Sequence, residues 1–188
     1  MKNDRDEYWM QRALANAARA ECLGEVPVGA VVVVGDECIA ESYNTPIRSQ
    51  EPTAHAEIQA LKLAASRLGN YRLDQAELYV TLEPCMMCTG AMIHARIQRL
   101  VFGAYDPKTG IICSAAQLLN APYHNHQVDY CGGVLEKACA QQLKHFFKRR
   151  RLENHANRHH QHQHQHQQQQ IQIAKPKPKP KFKFKPKT

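Results

Sequence analysis

Two short stretches carry residues able to do chemistry: His55-Ala56-Glu57 and Pro84-Cys85-Met86-Met87-Cys88. Cys85 and Cys88 are three residues apart, so on a helix both thiols share one face of a single turn. Each stretch falls where a helix is expected to begin. Unpaired backbone N–H groups and the positive end of the helix dipole there favour thiolate over thiol. Thiolates at this spacing suit Zn²⁺, which takes Cys and His ligands tetrahedrally. By itself the Cys pair leaves three readings open: a redox pair, half of a structural zinc site, or two buried cysteines. No second Cys-x-x-Cys exists to complete a four-thiolate site. The nearest third ligand is His55, whose alternative is a buried or capping histidine. Glu57 is poor material for a core, yet suits a general acid/base beside a metal-activated water. Three protein ligands leave a fourth position open, which marks a catalytic zinc.

This grouping constrains the elements around it. Positions i and i+2 of a regular helix point about 200° apart. His55 and Glu57 therefore meet one metal only if His55 sits at the helix start, and Thr53 is the expected N-cap of a helix running to Leu68, with Gly69 as its stop. Helical spacing over 6–23 predicts a first helix. The β-branched run 26–34 predicts a strand, and Gly35-Asp36 turns it into a second strand over 37–43. Strands follow at 77–82, 99–104 and 127–130. Helices are expected from Pro84, as the first helical residue, to Ala95, over 114–120, and over 135–152. Strands alternating with helices imply crossovers, hence an α/β fold with a mixed, mostly parallel sheet covered on both faces.

The chain has 188 residues, 43% of them apolar, which suits one domain with an appendage. Its net charge of +8 is unevenly placed: residues 1–155 hold seventeen basic and seventeen acidic residues, and 156–188 hold eight basic and none acidic. From Ala156 the sequence is His/Gln-rich and then alternates Lys with Pro or Phe, and is expected to be disordered. The His/Gln run reads as a polar spacer or a weak metal chelator. The Lys/Pro run reads as a solubilising terminus or a segment that attracts RNA by charge. The expected division is therefore a folded domain over 1–155 and a tail over 156–188. No apolar run of about 18 residues predicts a membrane span, and the mixed-charge N-terminus does not read as a signal peptide. Seven cysteines without a secretion signal point to a reducing compartment. Cys22, Cys38, Cys113, Cys131 and Cys139 are expected as small buried hydrophobes.

His-x-Glu followed by Pro-Cys-x-x-Cys resembles the zinc nucleobase-deaminase signature. Longer strings make the resemblance more specific: Glu25-Val26-Pro27-Val28-Gly29-Ala30, Pro52 to Glu57, Tyr79 to Cys85, Gly90 to His94, Phe102-Gly103-Ala104, Lys108-Thr109-Gly110 and Phe146-Phe147. From Tyr8 to Arg151 the chain resembles the bacterial tRNA-specific adenosine deaminases, within the zinc-dependent cytidine/deoxycytidylate deaminase superfamily. The resemblance implies a cytidine-deaminase-like three-layer α/β/α sandwich with a five-stranded sheet. It also implies one Zn²⁺ per subunit on His55, Cys85 and Cys88, a homodimer, and a cytoplasmic enzyme acting on the tRNA anticodon stem-loop. The implied reaction is hydrolysis of adenosine to inosine at the wobble position, with tRNA-Arg as the expected substrate and ammonia as co-product. Water attacks C6 of adenine, and Glu57 moves its proton to N1 and then to the leaving amine. The base must leave the anticodon loop to reach the metal, and loop bases are already partly unstacked.

The same resemblance places Asn44 against the flipped nucleotide, with Val28 and the backbone around Ala54 and Pro84 lining its pocket. Asp106 and Lys108 would face neighbouring nucleotides, although Asp-Pro-Lys-Thr-Gly is also good turn chemistry. Phe147 and Arg150, in a basic aromatic helix, suit a single-stranded RNA loop. The chain departs from its relatives at Tyr105, where another residue such as Arg is common. Two other readings stand beside this one: a zinc deaminase of a free base, nucleoside or nucleotide of cytidine or guanine type, and a non-catalytic zinc-stabilised RNA-binding module, which leaves Glu57 unexplained.

Overall fold

The computed structural model describes the backbone of residues 4–174 and the side chains of 4–155. The first element, α1 (Asp4–Cys22), opens on Asp4, Asp6 and Glu7, acids that complement the positive helix N-terminus. A hairpin follows, β1 (Gly29–Val34) and β2 (Glu37–Tyr43), joined at Gly35-Asp36. Next come the single turn α2 (Pro46–Ser49), α3 (Ala56–Leu68), β3 (Ala76–Leu82), α4 (Met86–Ala95), β4 (Arg99–Ala104), β5 (Asp129–Gly132) and α5 (Glu136–Ala174).

The five strands lie in the order β2-β1-β3-β4-β5. β1 pairs antiparallel with both β2 and β3, while β3–β4 and β4–β5 are parallel, so the sheet is mixed and parallel in its C-terminal half. Its central strands are buried throughout Val31–Val33, Leu78–Val80 and Leu100–Phe102, as expected of strands covered on both faces. One layer is α1: a Cβ on Gly29 would lie 2.1 Å from the Ala13 carbonyl oxygen and 2.5 Å from the Ala17 nitrogen, so only glycine lets the helix approach β1 this closely. The start of α5 packs on the same face, with Cys139 over Gly103. On the opposite face α3 packs against β1 and β2 and touches α4. The α/β/α sandwich is the expected fold. Tyr79, at the register of Val31, accepts and donates hydrogen bonds within an ionic group on the α1 face: Arg99 pairs with Asp6 (2.8 Å) and Glu77 (2.9 Å), and Tyr79 Oη donates to Asp6 (2.9 Å).

Several boundaries differ from the sequence reading. The first strand begins at Gly29, because the Val28 N–H turns back onto Val26 O (2.8 Å). The last strand runs over 129–132 instead of 127–130, since the Val128 N–H is taken by Asn120 Oδ1 (3.1 Å). No helix forms over 114–120; that segment is irregular backbone between turns. α2 was not expected; Pro46 presets its first turn and buried Glu25 accepts the N–H groups of Ile47 (3.3 Å) and Arg48 (2.7 Å). The backbone of α5 continues past Ala156 to Ala174, through a stretch rich in Gln and His. The Lys/Pro run lies outside the described residues. The chain divides into two compact units, Met1–Phe147 and Lys148–Thr188. No described helix is long and apolar enough to cross a membrane.

Candidate active site

Two helix starts build the centre. His55 is the N-cap residue of α3 and Cys85 that of α4, both with extended backbone. The caps expected from sequence are displaced. Thr53 does not cap α3, because its hydroxyl is engaged by Glu51. Pro84 precedes the cap of α4 instead of opening the helix, and its carbonyl accepts the Ile111 N–H at 3.1 Å. The shift satisfies the geometric condition on His55, which lies where the backbone is not yet helical while Glu57 lies in the first turn. His55 makes no side-chain cap of its own. The missing acceptor comes from Asn44, whose buried Oδ1 accepts the Ala56 N–H at 2.9 Å.

The ligand atoms form a nearly equilateral triangle. His55 Nδ1 lies 3.7 Å from Cys85 Sγ and 3.5 Å from Cys88 Sγ, and the two sulfurs are 3.7 Å apart. Among the described residues this is the one His/Cys/Asp/Glu group placed to hold a metal ion. With Zn–S of about 2.3 Å and Zn–N of about 2.0 Å, tetrahedral geometry sets S···S near ~3.8 Å and S···N near ~3.5 Å. The residues present fit zinc in donor type and in spacing.

Electrostatics fit as well. The hydrogen bond from Cys88 draws the Cys85 thiol down to about 4, helped by His55 and the Cys88 backbone N–H against the opposing effect of burial. Cys88 is pushed up, chiefly by sharing its proton with Cys85 and by burial. The Cys85 thiolate holds the His55 imidazole above its ordinary range. Glu57, 4% exposed, is pushed up by burial, with His55 opposing. It also interacts with Cys88, which places a buried carboxyl of raised basicity against the triangle.

Val28 and Ala54 are buried, Val28 O accepts the Asn44 N–H (3.0 Å), and Ala54 O accepts the Thr45 N–H (3.0 Å). Asp106 and Lys108 lie on the loop after β4. Asp106 accepts from the N–H groups of Lys108 (3.0 Å) and Thr109 (3.3 Å) and from the Thr109 hydroxyl (2.6 Å), so the turn chemistry read in the sequence is present and the Lys108 side chain is exposed. Burial raises the Asp106 carboxyl, but Thr109 and these amides outweigh it and leave it low. Phe147 is exposed, its ring edge-on to buried Phe146, and Arg150 lies beside Glu153 in the second unit. Of the cysteines expected to be buried, Cys139 is, Cys38, Cys113 and Cys131 are half-buried, and Cys22 is exposed near the end of α1.

Sequence reasoning missed Glu83. It is 2% exposed and receives the N–H groups of Asp106, Ile112, Cys113 and Ser114. The available signal was an acid wedged between the apolar run Tyr79–Leu82 and Pro84, a position that demands partners once buried.

A three-layer α/β/α fold that opens two helices on His-x-Glu and Pro-Cys-x-x-Cys defines the class of zinc-binding deaminases. The chain belongs to the cytidine and deoxycytidylate deaminase zinc-binding region family, whose sequence model matches residues 3–104. It is 49% identical over 154 residues to the tRNA-specific adenosine deaminase of Haemophilus influenzae, an alignment covering 81% of this chain and 89% of that one. It is similar, at TM-score 0.70 and 43% identity, to a structure solved in a study of A-to-I editing by tRNA:A34 deaminases at the wobble position of transfer RNA. That match covers 72% of this chain and 99% of the other. A guanine deaminase from Nitrosomonas europaea is more distant, at TM-score 0.58 and 27% identity, covering 76% of this chain and 82% of its own.

Proposed function

We propose that this protein hydrolyses adenosine to inosine at the wobble position of a tRNA anticodon, releasing ammonia. The observation that carries the hydrolytic chemistry is the buried Glu57 carboxyl set against the His55–Cys85–Cys88 triangle. Similarity to the tRNA-specific adenosine deaminases, much higher than that to guanine deaminase, favours RNA over a free base. The guanine deaminase likeness keeps deamination of a free base as the second reading.

In this reading His55, Cys85 and Cys88 hold one zinc ion per chain, which when bound supplies a Lewis acid that makes water nucleophilic near neutral pH. Glu57 is the catalytic acid/base. It takes a proton from the attacking water and delivers it to N1 of adenine, then takes the second proton, from the hydroxyl now on C6, and delivers it to the departing amine as the C6–N bond breaks and the C6 carbonyl forms. Burial keeps its basicity high enough for both transfers. Val28 and the backbone at Ala54 and Pro84 wall the base, the free amide of Asn44 meets the nucleotide, and Asp106, Lys108, Phe147 and Arg150 meet the rest of the anticodon loop. A tRNA-Arg whose wobble base is adenosine is the expected substrate. We further propose that residues 1–155 constitute the deaminase domain, that the protein acts in the cytoplasm, and that it pairs with a second copy through exposed apolar residues such as Ile47 and Met86, 64% and 65% exposed.

The test is an inosine assay on unmodified tRNA-Arg with the zinc-loaded protein, read by sequencing the anticodon. Conversion at the wobble adenosine, absent in Glu57→Ala with zinc retained, is the expected result. No conversion by protein with zinc bound, together with ammonia release from a free base, establishes the second reading instead.

A further inference from the structure

We infer that Glu83 is a positioning residue that sets the 106–114 loop against the metal centre, and thereby fixes the residues that read nucleotides beside the reacting base. This rests on the proposed role of Asp106 and Lys108. The loop has no helix or strand of its own, and one carboxylate gathers both of its ends. Glu83 Oε1 accepts the N–H groups of Ile112 (3.0 Å), Cys113 (2.8 Å) and Ser114 (3.0 Å). Oε2 accepts the Asp106 N–H (3.1 Å) and the Ser114 hydroxyl. The backbone closes so tightly around it that a Cβ on Gly110 would lie 2.6 Å from Oε2.

The carboxylate is saturated, since it offers about four lone-pair sites and receives five donors. It is therefore no spare acid or base. Among the described residues its hydrogen-bond partners include no cation, so the Ser114 hydroxyl and four backbone amides balance its charge in a buried place. The attachment point matters. The Glu83 N–H bonds Ala104 O (2.8 Å) at the end of β4, and the Pro84 carbonyl takes the Ile111 N–H. The next residue is the ligand Cys85. One carboxylate thus ties the loop that carries Asp106 and Lys108 to the strand end that presents the metal ligands.

Glu83→Gln separates this role from a merely structural one. An amide can keep its oxygen at the Oε1 site, where three N–H groups converge. Its NH₂ then faces the Asp106 N–H, donor against donor, while the Ser114 hydroxyl can rotate to accept. The substitution frees the Asp106 end and leaves the Ile112–Ser114 end attached. The protein to be tested is the full chain loaded with zinc, with an adenosine-34 tRNA as substrate. Losing one hydrogen bond to a charged group at the reading loop is expected to raise KM roughly tenfold, with kcat and zinc content near those of the parent. In a Glu57→Gln background, which silences turnover, Kd for the same tRNA should rise by the same factor. Combined with Lys108→Ala the effects should be less than additive, because both act through one loop. If Glu83→Gln does not fold, Gly110→Ala perturbs the same contact from the loop side and should give the same rise in KM. Unchanged KM with lost zinc or lowered kcat overturns the inference, as does full additivity with Lys108→Ala. A parent protein inert on tRNA overturns the proposed function, and this inference with it.

Discussion

Asn44 holds two positions at once, and substitutions can separate them. Its Oδ1 accepts the Ala56 N–H at 2.9 Å, the first amide of α3 and the one that follows the ligand His55. Under the proposed function its side-chain NH₂ group meets the nucleotide. Asn44→Ala removes the acceptor and orphans a donor that is buried. A lost cap costs about 1 kcal/mol, and an unsatisfied buried N–H about 1–3 kcal/mol. Because these describe the same event, the expected loss is about 1–3 kcal/mol in all, or roughly 3–10 °C in Tm for a domain of this size. The backbone at His55 should loosen with it, so zinc affinity should fall too. Asn44→Asp keeps the acceptor, and its charge is favoured by the positive helix N-terminus. Stability and zinc content should therefore stay near the parent's, while KM for tRNA rises because the amide donor is gone. Thermal melts, metal analysis and steady-state inosine kinetics on the three proteins read each part. Equal destabilisation by Asp and Ala, or an Asp variant with unchanged KM, would refute the division of labour.

Three further outcomes follow from particular contacts. In the metal-free protein Cys85 is ionised, with its pKa near 4, while Cys88 holds a proton. Zinc loading should therefore release protons, and apparent affinity should rise about tenfold per pH unit where one proton is displaced, as titration calorimetry in two buffers would show; pH-independent affinity would contradict the shared-proton picture. Arg99→Ala leaves buried Asp6 short of its paired cation, while Glu77 keeps Arg5 (2.8 Å), and because Arg99 is partly exposed the loss should be about 2 kcal/mol. Asp6 is held below its ordinary range chiefly by the Arg99 hydrogen bond, with Tyr79 and Arg5 helping, so the parent loses this stability as pH falls through the acid range below about 4 and the variant has less to lose; parallel pH–stability curves would count against it. Gly29→Ala drives a methyl into the α1 backbone at Ala13 and Ala17 and should cost about 1–3 kcal/mol in a denaturant melt with metal binding retained; an unchanged midpoint would show that α1 can move away freely.

The parts of the fold legible in the sequence were those set by local pattern. The hairpin turned at Gly35-Asp36 with the second strand over 37–43, and the strand over 99–104 stands where the β-branched run and its turns placed it. What was not legible depends on groups distant in sequence. Thr53 looked like the cap of α3 because capping is normally local, yet the acceptor comes from Asn44, twelve positions away. Residues 114–120 read as a helix, but the N–H groups of 112, 113 and 114 converge on Glu83, a partner distant in sequence, and the chain continues from there as turns and irregular backbone. Glu25 does the same for α2. These three share a feature: a buried polar side chain from elsewhere in the chain accepts backbone donors that local rules assign to nearby groups.

That feature also bears on why His55 and Cys85 stand where they do. An N-cap residue normally spends its side chain on the first amides of its own helix. Here the amide after His55 is satisfied by Asn44, which leaves Nδ1 free to turn toward the sulfurs. At α4 the cap position carries a sulfur, and the Cys88 N–H lies against it, so the helix start stabilises the thiolate while Cys88 brings the second sulfur round on the same turn. Two positive helix ends converge on one point, which would repel a cation. The thiolates they stabilise bring enough negative charge to reverse the sign of the field there. Truncating either thiol should therefore do more than remove a ligand. Cys88→Ala leaves one thiolate and an imidazole between two helix N-termini, and this centre should hold anions more readily than zinc.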